Sequence, residues 1–362
     1  LSRQNIRRLW LKVHRVLGLF LLLLSVPIGI TGSLNVYYRE LDRWLNPSLF
    51  SCASGGAALP LEGILARVRA RHQDPVLWVV LPDAYWPVVQ VHHRRGERTW
   101  AVFVDPGTGE VLGERDEEAA LMPRIYQLHQ NLLLRPYWGE ELVGVAGLAL
   151  ALSTLSGLWL WRPKLARFWR SVTVRRGQNL YRTAWDLHNA LGFWTSLVLL
   201  AVAVSGAAMI FPGPARRLVG ASELEARSVV PSSGALQGAD AVLGAARHHR
   251  PGDWPTYLIW PTPERNTWCV ALRPLSYHGR AGSMTTLYVN PWNLEVVQER
   301  SPATWTLGDR VLDHQFTLHN GSLGGDVGRF LVFLSGLAFP LLGLSGAYLW
   351  WFKFSRGRAR AG

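Results

Sequence analysis

The chain has 362 residues, 49% hydrophobic and only 17% charged, with 18 tryptophans, a composition short of charge for a soluble enzyme of this length. Its formal net charge of +13 raises nucleic acid as a partner. Yet 16 of the 38 basic residues and one of the 25 acidic ones fall in three short stretches, a topology signal that speaks against nucleic acid.

In chain order, the first of those stretches is a basic tail (Arg3, Arg7, Arg8, Lys12, Arg15) that runs into an apolar segment at 16–38. Further apolar segments follow at 142–161, 191–211 and 330–352. Each has the roughly 20 residues a helix needs to cross a bilayer, and none has a charge in its centre. The loop at 162–190 carries seven Lys and Arg against Asp186, and the tail at 353–362 carries Lys353, Arg356, Arg358 and Arg360. The positive-inside rule puts both tails and this loop in the cytoplasm. The long segments 39–141 and 212–329 are then periplasmic, in a bacterial inner-membrane protein. No small-residue cleavage site follows the first segment, which is read as a retained span. Cys52 and Cys269, one in each long segment, are read as unpaired.

Each long segment reads as a small α+β module. In the first, a helical pattern at 61–72 precedes strand-like runs at 76–81, 88–92 and 99–104. A turn at Asp105-Pro106-Gly107-Thr108-Gly109 then leads to a run at 111–112. The second has a helix at 239–248 and runs at 257–260, 267–272 and 286–289. Its turn, Asn290-Pro291-Trp292-Asn293, leads to 295–297. Each module alone is too small to hold much core.

Three correspondences make the chain an imperfect tandem repeat. His14-Arg15-Val16-Leu17-Gly18 matches His188-Asn189-Ala190-Leu191-Gly192. Ser156-Gly157 near the end of the second span matches Ser345-Gly346 near the end of the fourth, and Val104-Asp105-Pro106 matches Val289-Asn290-Pro291. The expected fold class is a mainly α membrane protein: four transmembrane helices in two tandem helix–module–helix repeats.

Four of the eleven histidines fall at span ends in matching places. His14 and His188 stand at the cytoplasmic ends of spans one and three; His129 and His319 precede spans two and four on the external side. Ionisable groups at membrane depth point to function. Two imidazoles fill both axial positions of a haem iron, which suits electron transfer. Gly18 and Gly192, four residues after their histidines, would clear space for a flat macrocycle on the same helix face. The expected ligand pairs are His14 with His188 and His129 with His319, the levels separated by roughly the hydrocarbon thickness of 30 Å. His314 is the substitute for His319. The small residues Gly29, Gly32, Ser33, Ser205, Gly206 and Ala207 would let helices approach closely. His72, His92, His93, His248, His249 and His278 belong to the modules; the pairs His92-His93 and His248-His249 could touch a metal, with surface polar residues the plainer reading. There is no Cys-x-x-Cys-His, so the two haems would be b-type and non-covalent. No Walker loop, His-Glu-x-x-His or Rossmann fingerprint is present.

The chain resembles the PepSY-associated transmembrane family, which includes inner-membrane siderophore reductases of the ferrioxamine-reductase type. The residues that carry the resemblance are His14-x-x-Leu17-Gly18 through Thr31-Gly32-Ser33-Leu34 and Asp186-Leu187-His188. To these add Leu128-His129, Leu318-His319-Asn320-Gly321, Ser156-Gly157, Ser345-Gly346 and the PepSY-like stretch from Val102 to Glu110. The resemblance implies b-type haems on the span-end histidines and reduction of a periplasmic ferric siderophore, with release of Fe(II). The expected function is a di-haem reductase fed by a cytoplasmic or quinol donor. The rivals are a PepSY protein that regulates periplasmic peptidases and a transporter of iron chelates or haem. Tyr85, Trp86, Trp254 and Trp260 are candidates for a substrate platform, with core packing the plainer reading.

Overall fold

The computed structural model describes residues 2–53, 58–223, 228–231, 234–274 and 283–358; His278 lies outside them. The elements run α1 (Arg3–Val36), α2 (Tyr38–Leu45), α3 (Leu61–Arg71), β1 (Val76–Val80), β2 (Val89–Arg95), β3 (Arg98–Val104) and β4 (Val111–Asp116). Next come α4 (Leu121–Asn131), α5 (Gly139–Leu160), α6 (Phe168–Ser171), α7 (Leu180–Ile210), α8 (Pro212–Val219) and α9 (Ala239–His249). The last are β5 (Asp253–Ile259), β6 (Trp268–Pro274), β7 (Thr285–Val289), β8 (Val296–Arg300), α10 (Leu307–Asp313), α11 (Gln315–His319) and α12 (Gly325–Arg358). They divide into a helical unit and a sheet unit.

In the helical unit, α1, α5, α7 and α12 are long and apolar enough to cross a membrane. α1 packs on α5 and α12, and α7 packs on the same two. These helices outrun their apolar segments. α7 starts at Leu180 because the Asn179 side chain accepts the Arg182 N–H at 2.9 Å, capping the helix well before the apolar run begins. His14 and His188 therefore lie within helices, several turns from their starts. Gly29 earns its place against α12, since a Cβ there would lie 2.6 Å from the Gly336 carbonyl oxygen. Ser33 Oγ donates across the same contact to the Phe333 carbonyl at 2.8 Å. Halfway along the bundle, Leu21, Ala146, Leu199 and Phe339, one from each helix, form a buried apolar layer.

The sheet unit holds one antiparallel sheet of eight strands in the order β4-β3-β2-β1-β5-β6-β7-β8. The two modules are thus halves of a single sheet, joined where β1 pairs with β5 (Val79 opposite Leu258). Pairing hides one edge of each half, and α3 and α9 cover a common core that includes Leu65, Val79, Val91, Leu243, Leu258 and Val270. The helix starts fix each other. Pro60 and Gly238, the residues before α3 and α9, have no side chain able to accept a hydrogen bond. Asp240 of α9 instead accepts the N–H groups of Leu61 (2.8 Å) and Glu62 (2.9 Å), while Glu62 of α3 accepts that of Ala239 (2.6 Å).

The two hairpin turns match more closely than their sequences. Gly109 N–H donates to the Asp105 carbonyl at 2.8 Å, and Leu294 N–H donates to the Asn290 carbonyl at 3.1 Å. Leu294 adopts φ +63°, close to the +69° of Gly109, so the second copy keeps the turn without its glycine. Its side chain packs on the core, which offsets the left-handed backbone. Cys52 and Cys269 are both free thiols.

Candidate functional site

The helical unit brings the four span-end histidines together in two pairs. The rings of His14 and His188 have centroids 6.2 Å apart, and those of His129 and His319 are 6.0 Å apart. His319 rather than His314 meets His129; His314 stands at the start of α11, its carbonyl accepting the Leu318 N–H.

Each imidazole is held by the same device on a different helix. His14 Nδ1 lies 3.0 Å from the Ser153 carbonyl and 3.0 Å from Ser156 Oγ, both on α5. His188 Nδ1 lies 3.2 Å from the Leu342 carbonyl and 3.1 Å from Ser345 Oγ, both on α12. His129 Nδ1 meets the Ile28 carbonyl (3.0 Å) and Thr31 Oγ1 (3.5 Å) of α1. His319 Nδ1 meets the Val202 carbonyl (2.9 Å) and Ser205 Oγ (3.3 Å) of α7. A carbonyl oxygen only accepts, so every Nδ1 carries the proton and donates it. In the neutral ring the lone pair is then on Nε2, which makes no hydrogen bond in any of the four.

A glycine follows each hydroxyl residue and seats the ring. A Cβ added at Gly157 would lie 3.0 Å from His14 Cε1, and one at Gly346 would lie 3.2 Å from His188 Cε1. At Gly32 it would lie 2.7 Å from His129 Cε1, and at Gly206 2.8 Å from His319 Cε1. The Ser/Thr-Gly dipeptide therefore does the seating. Of the small residues read as helix-packing positions, Gly32 and Gly206 instead cradle imidazoles. The signal was in the sequence: Thr31-Gly32, Ser156-Gly157, Ser205-Gly206 and Ser345-Gly346 recur once per span. Gly18 and Gly192 behave otherwise. A Cβ at Gly18 would meet nothing within 4 Å, and one at Gly192 only Leu342 at 3.8 Å. Among the described residues no protein atom requires glycine at either position, and only Gly18 borders open space.

The donor set fits haem iron. A metal between two imidazole nitrogens, each at about 2 Å, separates the ring centroids by roughly 6 Å, as both pairs show. Hydrogen-bonded Nδ1–H groups are the usual outer support of a ligating histidine. On α1, His14 is 14 to 17 residues from Ile28 and Thr31, and on α7 His188 is as far from Val202 and Ser205. At helical rise the two levels are about 21–26 Å apart, closer than the full hydrocarbon thickness, because His129 and His319 meet α1 and α7 within their spans. The apolar layer of Leu21, Ala146, Leu199 and Phe339 belongs to the stretch between them.

Of the other histidines, His248 and His249 are exposed, as expected, whereas His92 and His93 are not. His92 and His93 are 6% and 1% exposed, because β2 is an interior strand of the sheet. His92 stacks on Trp78 with centroids 4.6 Å apart, and burial, then the charges of Arg115 and His93, push it down to about 3. His249 Nε2 lies 2.9 Å from Glu299. Trp86 lies under Arg39 and beside Phe50, and Trp260 packs on Trp268.

A sequence model described as the PepSY-associated TM region matches residues 11–353. No curated protein matches the chain.

Proposed function

This chain belongs to the family of PepSY-associated TM regions, and on that premise we propose that it is a di-haem reductase of the bacterial inner membrane, passing electrons to a ferric siderophore in the periplasm. The reading is supported by one observation: two imidazole pairs with centroids about 6 Å apart, whose four Nδ1–H groups are engaged and whose Nε2 atoms make no hydrogen bond. His14 with His188 would hold one b-type haem and His129 with His319 the other. Bound haem would supply a one-electron Fe(III)/Fe(II) couple at each level.

The protein's own residues do the rest. The Ser/Thr hydroxyls and the carbonyls of Ser153, Ile28, Val202 and Leu342 fix each ring in the tautomer that presents Nε2. Gly18, where an added Cβ meets no protein atom within 4 Å, and Gly192, where it meets only Leu342 at 3.8 Å, would be the glycines nearest a flat group on the inner pair. Leu21, Ala146, Leu199 and Phe339 exclude water from the middle of the bundle, which favours electron movement and disfavours passage of a solute. The basic loop and tails set the cytoplasmic side, where a soluble donor or quinol would deliver electrons. On the opposite side the substrate is Fe(III) in an anionic oxygen chelate. Gain of one electron lowers the metal charge, weakens its attraction to the chelator and releases Fe(II).

The test uses the purified full chain in liposomes, reduced with dithionite under anaerobic conditions. A ferric hydroxamate siderophore should reoxidise it while an Fe(II)-specific chelator reports released iron. A colourless protein would favour the peptidase-regulator reading; a coloured one that stays reduced with the siderophore would remove this substrate class.

A further inference from the structure

A second cluster, in the sheet unit, has no part in the account above. Strand alternation puts His93 and Arg95 on the face of β2 that Val89 and Val91 bury, and Glu114 beside Val102 on the same face of β4. α3 covers that face, and His72 follows its last residue, Arg71. One ligand atom each from His72, His93 and Glu114 lies within 4.8 Å of the other two. The two imidazoles stack with centroids 5.2 Å apart.

His93 is the anomaly. It is 1% exposed, and neither ring nitrogen makes a hydrogen bond; Nδ1 lies 3.4 Å from Asp74 Oδ2 without the geometry of one. A buried polar group left unpartnered is destabilising. The fold does not demand it, because the second half of the sheet offers a control. Pairing aligns β2 with β6 and β4 with β8, so Leu272 stands where His93 does and Glu299 where Glu114 does. Leu272 is fully buried, and Glu299 is satisfied by His249 and Arg250. Both copies ion-pair the glutamate, Glu114 with His72 (3.0 Å) and Arg95 (3.1 Å), but only one fills the neighbouring position with a leucine. The other keeps a bare imidazole beside a second imidazole and two carboxylates.

We propose that His72, His93 and Glu114 form a binding site for a divalent first-row transition-metal ion of the zinc type, with Asp74 orienting His93 through Nδ1. Two imidazoles and a carboxylate are a common donor set for such ions, leaving a position for water. The carboxylate–histidine contact is the usual outer support. Glu114 and His72, the more exposed members, can rotate to bring the donors to about 2.0–2.2 Å. Arg95 occupies the same ground in the metal-free chain. Its Nη2 donates to His72 Nδ1 (2.8 Å) and Glu114 (3.1 Å), and its Nε lies 3.5 Å from Asp74. Because Arg95 only donates, it holds His72 with the proton on Nε2, the tautomer that cannot ligate through that atom. The incoming ion displaces Arg95, which swings toward Trp100, whose ring already lies 4.3 Å away.

The experiment is a calorimetric titration of the purified full chain in detergent with Zn²⁺ alone, with bound metal counted after dialysis. The native chain should hold one equivalent more than His93→Leu, which copies the residue of the other half. Glu114→Gln, at a partly exposed position that folding tolerates, should weaken that equivalent at least tenfold. Arg95→Gln should tighten it about tenfold, since the competing cation is gone. Haem content should be unchanged in all three, which separates this site from the bundle. Equal Zn²⁺ binding by the native chain, His93→Leu and Glu114→Gln would overturn the proposal, and so would weaker binding in Arg95→Gln.

Discussion

The imidazoles of His14 and His188 lie with ring centroids 6.2 Å apart and planes at 81°, although 174 residues separate them in the chain. Each is anchored to a different neighbour, His14 to α5 and His188 to α12, so two helix packings converge on one pair. The same logic, with α1 and α7 as anchors, builds the pair of His129 and His319. Changes to the anchors should therefore be felt at a haem iron held by these pairs.

Ser156→Ala or Ser345→Ala removes one acceptor at a ligand Nδ1 and leaves the carbonyl bond intact. Haem content should persist. A hydrogen bond is worth about 1 kcal/mol net, so the midpoint potential of the inner haem should move by no more than about 40 mV. Redox titration of each variant checks this, and the outer haem should not move.

Glycine substitutions should divide into two kinds. Gly32→Ala and Gly206→Ala drive a methyl into His129 or His319 and should lower outer-haem occupancy several-fold. Gly18→Ala meets no protein atom, so the helical unit should fold as before while inner-haem occupancy falls. Comparing haem per protein with thermal stability for each variant separates the two effects.

Glu62 and Asp240 cap each other's helices. Glu62→Ala or Asp240→Ala should destabilise the sheet unit by about 1 kcal/mol each, the usual worth of a helix cap. The double variant should cost less than the sum, because the caps meet at one place. Hydrogen exchange of the first turns of α3 and α9 would show it.

His92 should make the sheet unit sensitive to acid. Its folded value of about 3 lies below the ordinary 6.5, so the unfolded chain binds the extra proton in that window. Its contribution is complete above about pH 6.5 and is lost progressively as pH falls toward 3, at up to about 1.4 kcal/mol per pH unit. Exchange rates of the β2 amides should rise over that range, and His92→Phe, which keeps the stack on Trp78, should flatten the rise.

Much of the plan was legible in the sequence because bilayer thickness and charge asymmetry are coarse signals. The four spans, the helix–strand order of both modules and the matched histidines were all in view. What hid was whatever depends on partners far along the chain. The apolar runs could not show that α1 and α7 continue through polar turns, since caps and packing set those starts. The second turn was legible, but not that Leu294 takes the left-handed place of Gly109, because a packed side chain can offset that backbone. His92 and His93 looked superficial because the run at 88–92 gave no sign that β2 lies inside an eight-stranded sheet. The Ser/Thr-Gly pairs were visible, but their meaning needed the imidazoles resting on them.

The most direct measurement is haem content, by pyridine haemochrome, of the purified full chain and of His14→Ala, His188→Ala, His129→Ala and His319→Ala. The account predicts two haems in the native chain. His14→Ala and His188→Ala should each lose the same one, and His129→Ala and His319→Ala should each lose the other. Full haem retention by all four variants, or a native chain without haem, would contradict it.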